Sequence, residues 1–324
     1  MYSTSIKNLH IPHFIYNAAG VWDTTVEQCQ QLEKSHFCGA TVTKSFTLNP
    51  RKGNEYPKYH FDNPHFSINS NGFENRGVAY YLYKLNPKPT HPVFFSIGGM
   101  SDDERISMLI KVSSQAREHS GIELNMSCPN LGCPGAAYDS KKLDEALRKI
   151  FEATGKISLT FGLKLPPYYL PEQFSSISDV IIDYESQIDF ITCSNSIPNG
   201  IDFDVDNNCT KIAPNDGYGG IGGQILLPIG LANVRCFSQI FRSQELEEIA
   251  VIGCGGVCSG TDAYKYMLAG ATAVQVGTHL WKNGPKVFTE IADEFAHIMN
   301  KKGYTSLAEI PGSCFAARRL LPFF

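Results

Sequence analysis

The chain has 324 residues, 43% hydrophobic and 19% charged, which suits a folded protein with a large core and excludes an intrinsically disordered one. A formal net charge of −4 provides no electrostatic footprint for nucleic acid or an anionic membrane surface. Ten cysteines, none in a C-x-x-C pair or at zinc-ligand spacing, together with an N-terminus lacking an apolar leader, point to free thiols in the reducing cytoplasm.

Phe14–Ala18 is the first of eight short, nearly continuous apolar runs, and Asp23 follows it as the predicted N-cap of a helix over Thr25–Lys34. The second run, Ala40–Lys44, is separated from a predicted helix at Asn75–Lys84 by the long stretch Ser45–Phe73. Val93–Ile97 comes next. Ser101, with Glu104 three residues on, then has the pattern of a capping box for a helix over Asp102–Glu118. Ile122–Met126 precedes a helix at Lys141–Glu152, and Leu159–Leu165 precedes one at Gln173–Ile182. Ile188–Cys193 leads into a second long stretch, Ser194–Pro228, before a helix at Ile229–Phe241. Ile249–Gly253, helix Thr261–Leu268, Ala273–Gly277 and helix Pro285–Lys301 complete the series.

Strand-sized runs that are apolar on both faces and alternate with helices predict a covered parallel sheet. At this length the expected architecture is an α/β fold, a (β/α)8 TIM barrel forming a single domain over residues 1–324. An open doubly wound sheet is the rival, and periodicity does not separate the two. The two long connections leave the C-terminal ends of the second and sixth strands, where barrel enzymes build their sites, and read as functional insertions.

Polar residues collect where the predicted strands end: Asn17-Ala-Ala-Gly20, Thr43-Lys44-Ser45, Asn125-Met-Ser-Cys128-Pro-Asn130, Lys164, Ser194-Asn195-Ser196, Gly253-Cys-Gly-Gly256 and Gly277-Thr278. In a barrel these face one mouth. Gly255, Gly256, Gly277 and Thr278 read as a phosphate cradle, with the following helices turning their positive ends to the anion; tight βα turns are the plainer alternative. Lys44 and Lys164 end buried strands, and a buried ammonium needs an anion or acceptor. A reduced flavin, negative near N1, is one such partner.

Cys128 lies in a Pro-restricted loop and suits a nucleophile or general base, against the alternative of a packed thiol. Asn69, Asn125, Asn130 and Asn195 offer donors and acceptors together, which suits a ring with alternating C=O and N–H groups; turn chemistry accounts for any one of them alone. Gly217-Tyr-Gly-Gly-Ile-Gly-Gly223 imitates a dinucleotide fingerprint, but no apolar strand precedes it, so it reads as a loop able to wrap a cofactor ring. His60, Asp62 and His65 read as a polar insertion loop, with no metal expected.

Taken in order, Asn-Ala-Ala-Gly20, Thr-Lys-Ser45, Ser-Ile-Asn-Ser70, Glu-Leu-Asn-Met-Ser-Cys-Pro-Asn130, Gly-Leu-Lys-Leu-Pro-Pro167, the glycine run to Gly223, Gly-Cys-Gly-Gly256 and Val-Gly-Thr278 resemble class 1A dihydroorotate dehydrogenases from about Asn17 to Tyr304. The resemblance implies a cytosolic, homodimeric, FMN-dependent barrel of pyrimidine biosynthesis with no membrane or nucleic-acid partner. It implies that Cys128 takes the C5 proton of dihydroorotate while hydride passes from C6 to flavin N5, with fumarate as final acceptor. By position, Lys44, Asn69, Gly72, Asn125, Asn130, Asn195 and Ser196 would bind substrate. Ala19, Gly20, Lys44, Ser45, Asn125, Lys164, Gly222, Gly223, Gly255, Gly256, Gly277 and Thr278 would bind FMN.

The chain departs from the family pattern in places. Asn71, Phe73 and Glu74 stand where the family has Met, Leu and Pro, Lys58 where it has Arg, and Leu131–Gly135 is a shortened loop without the usual lysine. These departures bear on the substrate, and a paralogue acting on another small cyclic or carboxylated compound is the runner-up. Another FMN barrel is a further alternative; a tRNA-dihydrouridine synthase would need a basic surface that the charge balance lacks. A non-catalytic flavin or pyrimidine binder would leave Cys128 and both lysines without a role.

Overall fold

The computed structural model describes residues 2–62, 65–127 and 135–312. Eight parallel strands form one sheet: β1 (Ile15–Asn17), β2 (Thr41–Val42), β3 (Val93–Ile97), β4 (Ser120–Asn125), β5 (Thr160–Leu165), β6 (Phe190–Cys193), β7 (Ala250–Cys254) and β8 (Ala273–Val276). Their hydrogen-bonded order is β1-β8-β7-β6-β5-β4-β3-β2, so the first and second strands stand at the two ends of the ladder. The seam between those ends is closed by a side chain. Asn17 accepts from Val42 N–H and donates to Val42 C=O, each at 2.8 Å, in place of a strand partner. Gly39 N–H adds a bond to Ile15 C=O at 2.8 Å, and a Cβ at Gly39 would collide with the His13 carbonyl. The sheet is a barrel, as expected, and the open-sheet alternative is set aside.

The period of two along each strand sorts the barrel interior into layers. Phe94 and Phe190 fill the lower layer, their rings lying where side chains at Gly121 and Gly162 would otherwise be. Two residues further along the same strands come Glu123, Lys164, Thr192 and, from β8, Gln275, all buried. Asn125, Ser194 and Gly277 follow at the mouth.

The barrel helices are α1 (Val26–Lys34), α2 (Val78–Lys84), α3 (Asp102–Gln115), α4 (Ser140–Thr154), α5 (Pro171–Asp183), α6 (Leu227–Ser243), α7 (Gly260–Ala269) and α8 (Val287–Lys302). A short helix at Thr278–Asn283, absent from the sequence expectation, directly follows β8. The N-cap of α1 is Thr25, in a capping box with Gln28, and not Asp23, which turns into the interior. Ser101 caps α3 as expected, whereas the Glu104 carboxylate bonds Leu48 N–H and Met100 N–H instead of closing a box.

The two long connections are not loops throughout. Strands Tyr59–Asp62 and Phe66–Asn69 of the first and Ile197–Gly200 and Gly219–Gly222 of the second form one four-stranded antiparallel sheet over the barrel mouth. Its central pairing joins the two insertions, Ser67 opposite Gly222 and Asn69 opposite Gly220. The glycine run read as a loop is therefore a strand in part. Its backbone supplies the ladder, and only Ile221 among Gly219–Gly222 carries a side chain to pattern. No helix among the described residues is long and apolar enough to cross a membrane.

Candidate active site

Between the barrel mouth and the antiparallel sheet lies a cavity of about 430 Å³. Three lysines, Lys44, Lys164 and Lys282, line it, and no carboxylate does among the described residues. Ala19 and Gly20 come from the end of β1, Lys44 and Ser45 from that of β2, Asn125 from β4 and Lys164 from β5. Asn195 and Ser196 follow β6, Gly255 and Gly256 follow β7, and Gly277 and Thr278 follow β8. The insertions contribute Asn69, Gly72, Gly222 and Gly223. Every expected site residue among those described thus borders one space. Cys128 and Asn130 lie outside the described residues, as does the altered segment up to Pro134.

The amide side chains hold one another. Asn195 Nδ2 donates to Ser127 Oγ at 2.8 Å and to Asn125 Oδ1 at 3.2 Å, and Asn125 Nδ2 reaches Ser45 Oγ at 3.3 Å. Asn69 donates to Gly220 C=O at 3.1 Å and accepts from Asn71 at 3.3 Å. The chain up to Cys128 is therefore anchored, at Ser127, on two asparagines that face the cavity.

Lys164 Nζ donates to Gln275 Oε1 at 2.8 Å, lies 3.7 Å from Cys254 Sγ and stands 3.8 Å from Glu123 Oε1. Glu123 Oε2 accepts from Gln275 Nε2 at 2.7 Å and from Thr192 Oγ1 at 2.8 Å. Burial works against the charge of Lys164, but Cys254 and Glu123 more than offset this and hold the ammonium above its ordinary value. Burial also pushes the Cys254 thiol up, against the lowering effect of the Lys164 ammonium beside it. Lys44 is different: buried, it makes no hydrogen bond or ion pair through its ammonium among the described residues, and it faces the cavity.

At the opposite end the backbone comes bare to the space. Gly256 has φ +72°, a conformation that favours glycine, and a Cβ there would meet Leu227 N at 2.6 Å. A Cβ at Gly277 would meet only Ala18, at 3.6 Å. Ser67 Oγ and Thr278 Oγ1 bond each other at 3.0 Å and tie the antiparallel sheet to the end of β8. One expectation is corrected here. The first N–H groups of α7 are occupied by Glu294, which accepts from Gly260 at 3.0 Å and Thr261 at 3.1 Å, so that helix end does not face the cradle.

Asn71 and Phe73, the departures expected to alter the pocket wall, do line the cavity; sequence reasoning missed Gln224, Cys254, His279 and Lys282 there, and Glu123, Gln275 and Asp23 behind them. Lys58, placed where the family carries arginine, is buried and ion-paired at 2.7 Å with Glu74, which stands at the family's proline; the two departures meet each other.

The family model described as dihydroorotate dehydrogenase matches residues 1–299. The chain belongs to the dihydroorotate dehydrogenase family. It falls with the fumarate-linked, class 1A branch of these flavin-dependent oxidoreductases. Dihydroorotate dehydrogenase A (fumarate) of Lactococcus lactis subsp. cremoris (strain MG1363) is 40% identical over 319 residues, 96% of this chain and 98% of that one. Dihydroorotate dehydrogenase (fumarate) of Saccharomyces cerevisiae is 41% identical over 303 residues, 91% and 92% of the two chains. Among solved structures, DHODH of Eimeria tenella in complex with ferulenol superposes with a TM-score of 0.77 at 22% identity, covering 96% of this chain and 88% of that one, a likeness of fold.

Proposed function

We propose that this chain oxidises dihydroorotate to orotate with FMN as its flavin and fumarate as the electron acceptor, acting as a cytosolic homodimer. The observation that carries the reading is the cavity itself, which combines three lysines, no lining carboxylate, a bank of asparagines at one end and a bare glycine backbone at the other. These features fit FMN: Gly223, Gly255, Gly256, Gly277 and Thr278 would take its phosphate, and Ala19, Gly20, Ser45, Asn125, Lys164 and Gly222 its ring. When bound, FMN supplies the acceptor for the hydride leaving C6 of the substrate, and fumarate is then reduced to succinate in the same pocket.

The protein's own part is binding, orientation and one proton. Asn69, Gly72, Asn125, Asn130, Asn195 and Ser196 would hold the pyrimidine through paired donors and acceptors, with Lys44 as the cation for its charge. Cys128 takes the C5 proton. It follows directly on Ser127, whose hydroxyl is fixed by Asn195, and a thiolate is the base that this loop offers. Lys164, with Glu123 3.8 Å behind it, would stabilise the negative charge that develops on the ring.

Anaerobic addition of dihydroorotate is expected to bleach the bound flavin, and fumarate to restore its colour. Absence of bleaching rejects the substrate, and bleaching without recovery rejects the acceptor. Cys128→Ala is expected to retain flavin and lose turnover, because it removes the base and leaves the cradle. The rate of reduction in the unmodified enzyme should climb with pH toward the ordinary thiol value of about 8.5, and a flat profile from pH 6 to 9 rejects a titrating thiol.

A further inference from the structure

Asp23 is fully buried directly after the Ala19–Gly20 segment, and the function assigned above does not use it. Its Oδ2 accepts from Gly20 N–H at 2.6 Å, while its Oδ1 has no hydrogen-bond partner among the described residues. On the other side of Gly20 lies Lys44: a Cβ built on Gly20 would stand 3.2 Å from Lys44 Nζ. The Lys44 backbone N–H in turn donates to Asp23 C=O at 3.3 Å. A glycine peptide is thus held between a buried carboxylate with one free oxygen and a buried ammonium with no bonded partner among the described residues. The ammonium faces the cavity, and the carboxylate does not.

We propose that Asp23 is a positioning residue for Lys44, holding the ammonium over the cavity through the Gly20 peptide and taking up a proton from solvent when an anion docks there. Before an anion arrives, the pair is a cation and an anion one glycine apart. An anion on Lys44 adds a second negative charge to that neighbourhood. A carboxylate with an unsatisfied oxygen in a dry site relieves this repulsion by protonation. The cavity thereby becomes more positive when occupied, without any lysine moving.

The groups around Asp23 leave it as the one that titrates in the neutral range. Burial raises its carboxyl to about 6, against the lowering effect of Lys44, of the Gly20 and Val21 N–H groups and of Lys164. From α1, Cys29 is pushed up by burial and by Asp23 itself; from α2, Tyr81 likewise. Both remain neutral, so among the described residues the charges that act on Asp23 are those of Lys44 and Lys164.

The test has two arms, and only the second rests on the function proposed above. In the first, infrared difference spectra of the holoenzyme, wild type minus Asp23→Asn, follow the carboxylic acid band of Asp23 with pH. Lys44→Gln is expected to raise that titration and Lys44→Arg to leave it in place; a titration unmoved by Lys44→Gln overturns the proposal. In the second, orotate is titrated into the holoenzyme by calorimetry at pH 5.5 to 7.5 in buffers of different ionisation enthalpy.

Wild type should take up protons on binding, and its affinity should fall as pH rises, by about tenfold for each unit that the ligand displaces the titration. Asp23→Asn should show no uptake and a flat affinity. A merely structural role would instead weaken binding equally at every pH, and uptake persisting in Asp23→Asn overturns the proposal. Coupling in the first arm with no orotate binding in the second rejects the substrate reading and leaves the Asp23–Lys44 coupling standing. Should Asp23→Asn fail to fold, a rise of the Asp23 band titration on adding orotate to wild type is the outcome that supports the proposal, and no rise overturns it.

Discussion

Each of two cavity lysines has a buried carboxylate behind it, and the two carboxylates are satisfied to different extents. Each keeps one oxygen without a hydrogen bond among the described residues, but that oxygen of Glu123 has the Lys164 ammonium 3.8 Å away and its other oxygen accepts from Thr192 and Gln275, whereas Asp23 forms no ion pair among those residues and accepts through its other oxygen from Gly20 N–H. The difference has a consequence for stability. A carboxyl raised in the folded state to about 6 from 3.8 binds its proton more tightly folded than unfolded. Its contribution is therefore present at acid pH and lost as pH rises through 6, by about 3 kcal/mol for a shift of this size. Denaturant unfolding of Asp23→Asn and wild type from pH 4 to 7.5 should show wild type losing that amount relative to the variant. Lys164→Ala, in contrast, leaves Glu123 without its cation. It should destabilise by about 3–5 kcal/mol and slow flavin reduction by dihydroorotate more than it weakens flavin binding, read by stopped-flow absorbance and by cofactor retention.

At the scale of elements, the barrel seam is closed by the Asn17 side chain, with one backbone bond from Gly39 to Ile15 beside it. Asn17→Ala removes both bonds to Val42 and strands a buried N–H and C=O at the seam, so a loss of about 2–4 kcal/mol in urea unfolding is expected. All eight strands were legible in sequence, because each is buried on both faces and interrupted by helix-length polar segments. The insertion strands were not. Tyr59–Asp62 packs with only partial burial, and Gly219–Gly222 offers a single side chain, so neither carries the hydrophobic alternation that marks a strand. Asp23 was mistaken for a cap because the sequence offers Asp23 and Thr25 two residues apart, and only Thr25 is followed at the third position by Gln28. The buried polar layer was available by a simple rule: in β4, β6 and β8 it lies two residues before a mouth residue, Glu123 before Asn125, Thr192 before Ser194, Gln275 before Gly277. An apolar-run reading passes over those positions as strand interior.

For the molecule as a whole, the sixteen described residues expected at the site meet in one cavity because the barrel gathers its strand ends and the two insertions pair above them. What composition did not reveal is that this pairing makes a wall out of glycines. Gly277→Ala tests how close the cofactor comes to that backbone: the new methyl meets only Ala18, so folding stability should change by no more than about 0.5 kcal/mol, while the purified variant should lose most of its flavin absorbance.

The antiparallel sheet also sets an order of events during synthesis. Asn69 grips the Gly220 carbonyl across 151 residues of chain, and Thr278, which locks the sheet to the barrel, is made later still. A nascent chain leaving the ribosome N-terminus first therefore carries Lys44 and Asn69 unroofed until Gly220 has been made. The cavity is not roofed until Thr278 has been made and has met Ser67, so a ligand that needs both walls binds late in folding.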